Sequence, residues 1–134
     1  MPARERAADG HGFFRGVLDE DSVRYELTFA DLSTEARVAH IHFGQRGVNG
    51  AVFVFLCGGG GQADCPAGGG TVTGTFTAAN IIGVPAQGIP AGDFGAAVRL
   101  LRTGLTYANV HTVSHPGGEI RGQLRAFRED DQRE

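Results

Sequence analysis

The sequence predicts an all-β protein, an antiparallel sandwich or barrel carrying one short surface helix near 93–103. Three observations lead there. About seven short runs rich in β-branched and aromatic residues recur along the chain, each bounded by glycine, proline, asparagine or aspartate. Glycine makes up 22 of 134 residues, about twice ordinary usage, which suits a fold built of many turns. Only one stretch shows the 3.6-residue apolar period of a helix.

In chain order, "FFRGVL" (13–18) and "SVRYELTFA" (22–30) are joined across Asp19, Glu20 and Asp21 as a hairpin. The second run alternates cleanly, with Val23, Tyr25, Leu27 and Phe29 on one face and Arg24, Glu26 and Thr28 on the other. "ARVAHIHF" (36–43) follows, then a turn rich in glycine. "AVFVFLC" (51–57) is continuously apolar, the pattern of a central strand buried on both faces. "TVTGTFT" (71–77) sets Thr71, Thr73, Thr75 and Thr77 on one face. The helix has Asp93 as N-cap, apolar Phe94, Ala97, Val98 and Leu101, and Gly104 as the residue just past its end. Two last strands, 105–113 and 118–127, flank a "SHPG" turn; a charged tail, 128–134, closes the chain after a flexible segment, 1–11, and a domain over 12–127.

Charge and length exclude several classes of function. One domain of this size buries enough apolar surface to fold without a metal. Twelve arginines and no lysine stand against 15 acidic residues, a net charge of −3, so no nucleic-acid footprint is present. No apolar run approaches the ~20 residues of a membrane span, and residues 1–12 lack the apolar stretch of a signal peptide. Cys57 and Cys65 flank the glycine-rich "GGGGQAD", a spacing that suggests a short disulfide loop and an oxidising compartment. We therefore expect a secreted or periplasmic protein whose signal is missing from this sequence. The alternative is a pair of reduced thiols, or half of a metal site, in the cytosol.

The histidines carry the chemistry. In 36–43, Ala39, Ile41 and Phe43 form the apolar face, so His40 and His42 point to the other side, about 6.5–7 Å apart along the strand. Similar alternation in 105–113 gives Ala108 and Val110 to the core and Tyr107, Asn109 and His111 to the opposite face. In 118–127, Ile120, Gly122, Leu124 and Ala126 face inward and Glu119, Arg121, Gln123 and Arg125 outward. If these strands are neighbours, His40, His42 and His111 converge on the outer face as three neutral imidazoles. Such a set suits zinc, copper, nickel or iron, and copper binds most tightly. Glu119 would orient an imidazole N–H, and Arg121 would attract a small anion. His115, in a Pro-Gly turn, reads as a surface residue and His11 as part of the N-terminal segment, each with an additional ligand as the alternative. The competing reading is a non-catalytic binding or structural module whose histidines form a hydrogen-bonded network.

The run "YANVHTVSHPGGEIRGQL" (107–124), with "AHIHFGQRGVNGAVFVFLC", "GTVTGTFT" and "PAGDFGAAVRLLRTGLTYANVHT" upstream, closely resembles the CHRD domain, the module named after chordin, over roughly 12–127. The resemblance implies an extracellular, disulfide-permissive setting and no particular enzymatic activity. A weaker similarity is to the copper/zinc superoxide dismutases, which are Greek-key β-sandwiches. There "HIHFG" looks like the copper-binding pair, "NVHT" like a later ligand, and Arg121 like the anion-guiding arginine. No bridging histidine and no His/Asp zinc cluster follow between 44 and 75, where Asp64 is the sole acid. This similarity therefore implies a copper site of three histidines, with zinc as the alternative ion, that is either redox-active or a copper carrier.

Overall fold

The computed structural model describes residues 9–44, 50–84 and 88–125. Among these residues, seven strands form two antiparallel sheets that pack face to face, as the sequence predicts. They are β1 (His11–Leu18), β2 (Ser22–Ala30), β3 (Ala36–Phe43), β4 (Ala51–Cys57), β5 (Gly70–Thr77), β6 (Thr106–Thr112) and β7 (Ile120–Leu124). One sheet runs β1-β2-β5 and the other β4-β3-β6-β7. The chain passes between sheets after β2, β4 and β5. Strands thus return beside earlier ones, β5 next to β2 and β6 next to β3, in Greek-key fashion.

The alternation read from β2 holds. Val23, Tyr25, Leu27 and Phe29 are buried and meet Ala39, Ile41, Val54, Val110 and Ile120 of the facing sheet. The Tyr25 hydroxyl reaches across the sandwich and donates to the Leu56 carbonyl at 2.7 Å, so the phenol's one polar atom is satisfied inside the core. Burial pushes its pKa up to about 12. The one α-helix among the described residues, α1 (Phe94–Leu101), is capped as expected by Asp93, whose carboxylate accepts from the Ala96 N–H. Ala97 and Leu101 face the core. The helix ends at Leu101 with Arg102 as its C-cap, short of the expected 103, and Gly104 follows with φ 78°. No helix among the described residues is long and apolar enough to cross a membrane.

One strand lies elsewhere than predicted. β4 is an edge strand, although both its faces are largely buried. Its continuous apolar run reflects cover by non-sheet segments: the Ile82 N–H donates to the Phe53 carbonyl, so the chain after β5 occupies the edge a further strand would take. A 3-10 turn at Ala78–Asn80, capped by Thr77, begins that cover. On the other face the loop after β4 folds back over Phe55. Gly60 adopts φ 60°, and a Cβ there would stand 2.7 Å from the Phe55 ring, so glycine is required twice over.

That loop is closed by a disulfide between Cys57 and Cys65. Removing it with Cys57→Ser and Cys65→Ser together restores the freedom of an eight-residue span in the unfolded chain. The expected loss is about 2–3 kcal/mol in a urea melt. A loss below about 1 kcal/mol would show that the closed loop contributes little to the fold.

Candidate metal centre

Four side chains on the outer face of the larger sheet are set by register. His40 of β3 lies opposite Asn109 of β6, His42 opposite Tyr107, and Val38 opposite His111. The HxH of β3 therefore faces the NxH of β6 across one ladder. His40, His42 and His111 each offer a ligand nitrogen, all within 4.8 Å of one another. The convergence expected from alternation is present. Shelter is the difference: His40 and His42 are buried rather than displayed on an open polar face. Phe55 packs edge-on against His40 with ring centres 4.4 Å apart, and Tyr107 stacks nearly parallel on His42 at 4.7 Å. Neighbouring aromatic rings on the same face thus shield imidazoles that alternation alone would leave wet.

Backbone carbonyls select the tautomers. His42 Nδ1 donates to the Gly50 carbonyl at 2.9 Å, and His111 Nδ1 donates to the Pro116 carbonyl at 2.7 Å. A neutral imidazole carries one N–H, so each ring keeps its Nε2 lone pair for another partner. Holding the far nitrogen in this way is how proteins orient metal-binding histidines. His40 Nδ1 lies 3.1 Å from His111 Nε2, where it donates a proton that an ion would replace. Burial, followed by repulsion from His111 and His42, pushes the His40 pKa down to about 4. Burial also lowers His42, against the opposing pull of its bonds to Gly50 and Asn109. The two β3 rings are therefore neutral at pH 7, the form in which a histidine ligates.

Gly50 and Tyr107 are parts of this site that sequence reasoning did not single out. The Gly50 backbone bonds in both directions, its carbonyl accepting from His42 and its N–H donating to the Tyr107 hydroxyl at 2.9 Å. A Cβ on Gly50 would fall 1.7 Å from the Phe43 carbonyl oxygen, so only glycine lets the chain pass there. The glycine-rich turn after "HIHF" is a signal in the sequence, though not one that separates this glycine from its neighbours.

The charged residues proposed to assist divide. Arg121 is beside the site: its guanidinium stacks 3.6 Å above the Tyr107 ring, and its charge disfavours protonation of His42. Glu119 is engaged elsewhere. Its carboxylate accepts from the Ser33 N–H at 2.7 Å, the Ser33 hydroxyl at 2.8 Å and the Thr112 hydroxyl at 2.8 Å, tying the β2–β3 loop to the β6–β7 turn. Burial alone would raise its pKa, but these bonds and nearby His115 hold it below the ordinary value. Alternation failed for Glu119 because it precedes β7, where the turn rather than the pleat aims the side chain. His115 sits 3.0 Å from the Ser114 hydroxyl, and exposed His11 lies near Asp31; neither belongs to the three-histidine cluster.

A two-sheet β-sandwich with a sheltered three-histidine cluster on one outer face is the class of protein this geometry defines. The chain belongs to the CHRD-domain family, whose model matches residues 1–124. Family and disulfide together suit an extracellular module. Comparison with the curated proteins and with the solved structures yields no match for either.

Proposed function

We propose that this CHRD domain is a secreted or periplasmic metal-binding protein that holds copper through His40, His42 and His111. The observation that carries the reading is the pair of backbone carbonyls, Gly50 and Pro116, that hold the Nδ1 protons of His42 and His111 and leave both Nε2 lone pairs as donors. Three imidazoles in a half-dry site suit copper ahead of zinc. Arg121 supplies a positive charge beside the ion that favours small anions, which fits either a redox centre or a carrier loaded by an anionic complex.

Titration of the tag-free protein with Cu(II), followed by EPR, tests this. One ion per chain with nitrogen hyperfine splitting is expected, and His40→Ala or His111→Ala should abolish the signal. Equal binding by wild type and both variants would sink the reading. A second reading, a non-catalytic module with a structural histidine network, is favoured by the direct His40–His111 hydrogen bond. It predicts that both variants lose stability while wild type binds no copper.

A further inference from the structure

Asn109 is buried between the histidines, and its Oδ1 lies 3.1 Å from His42 Nε2. Because His42 spends its single N–H on the Gly50 carbonyl, that contact sets two lone-pair atoms against each other with no proton between them. Three arrangements relieve it: a second proton on the ring, a cation shared by both atoms, or an amide turned so that Nδ2–H donates to the ring.

Resting on the three-histidine reading, we infer that Asn109 is a fourth ligand, an oxygen donor that fits the site to a divalent ion of tetragonal geometry, Cu(II), over Cu(I). The distances fit a shared cation as well as they fit hydrogen bonds, and they select one geometry for it. With metal–ligand bonds of ~2.1 Å, donors at ~90° stand ~3.0 Å apart and donors at the tetrahedral angle ~3.4 Å apart. The His42–Asn109 and His40–His111 pairs are each separated by 3.1 Å, near the right-angle value. Mixed nitrogen and oxygen donors at right angles suit Cu(II) or Ni(II), whereas Cu(I) is content with few, soft ligands and gains little from an amide oxygen. Register makes the residue a fixture of the site: Asn109 is the cross-strand partner of His40 and shares the outer face of β6 with His111. A side chain at Gly118 would crowd its amide, with a Cβ only 3.2 Å from Nδ2.

The test measures Cu(II) and Cu(I) affinities by competition with chelators for wild type, Asn109→Ala and Asn109→Asp, with Cu(II) EPR on each. Asn109→Ala should weaken Cu(II) binding about 10- to 100-fold and shift the EPR parameters, while Cu(I) affinity changes less than about threefold. Asn109→Asp, which keeps an oxygen and adds a charge, should bind Cu(II) at least as tightly as wild type. Should Asn109→Ala fail to fold, the Asp variant decides alone, since a merely structural amide predicts weaker binding of both ions. Equal loss for Cu(II) and Cu(I), or no change in either, overturns the fourth ligand while leaving the three histidines intact. Absence of copper binding by wild type overturns both.

Discussion

Gly50→Ala should cost about 3–4 kcal/mol of stability and weaken copper binding at the same time, because one residue serves the fold and the site. The added Cβ would meet the Phe43 carbonyl oxygen at 1.7 Å, a backbone atom at the end of β3 that cannot swing aside as a side-chain tip can. Either β3 or the start of β4 must move. Movement breaks two bonds at once, from His42 Nδ1 to the Gly50 carbonyl and from the Gly50 N–H to the Tyr107 hydroxyl. Once His42 loses its carbonyl, its proton is free to shift to Nε2 and occupy the ligating lone pair. A chemical-denaturation midpoint together with the copper affinity checks this. Normal stability with normal binding would mean that the turn relaxes without disturbing either strand. Ala51→Gly, one residue on, is a control that adds no atoms.

Acid should destabilise the metal-free domain, and His40 should be a large part of the reason. Its pKa is about 4 in the folded chain against ~6.5 when unfolded. Between those values the unfolded chain binds the extra proton, so stability is fully present above about pH 6.5 and is lost as pH falls toward 4. The loss is about 2 kcal/mol from pH 7 to 5, reaching ~3 kcal/mol by pH 4. His42, lowered for the same leading reason of burial, acts in the same direction. Glu119 adds to the decline only at still lower pH, because its pKa is depressed below the ordinary carboxylate value and its support fades as it protonates. Urea melts at pH 7 and pH 5 in the presence of a chelator measure the effect. His40→Gln should flatten the difference, and an unchanged slope in that variant would show that protonation of His40 is not its source.

Much of the site was legible because a strand's pleat is a strict geometric rule. Once Ala39 and Ile41 are assigned to the core, His40 and His42 must share the opposite face, and the same holds for Asn109 and His111 beside Ala108 and Val110. The rule lapses where the chain leaves the sheet. Glu119 stands in the turn before β7 and reaches Ser33, a residue 86 positions earlier, which no local pattern announces. The burial of β4 was equally visible in its apolar run, but its place at the sheet edge was not. Cover from a neighbouring strand and cover from a loop draw the same residues from the sequence.

By itself, then, the sequence determined the all-β class, the faces of the strands, the capped helix, the closely spaced cysteines and the three histidines as a group. These depend on periodicity, spacing and local turn chemistry, which one segment of chain expresses alone. Only the tertiary structure decided the order of the strands, the shelter that Phe55 and Tyr107 give the imidazoles, and the carbonyls of Gly50 and Pro116 that set their tautomers. Those features require segments far apart in the chain to meet at hydrogen-bonding distance. Their identities are spread over a loop, a turn and two strands, and only the folded chain brings them together.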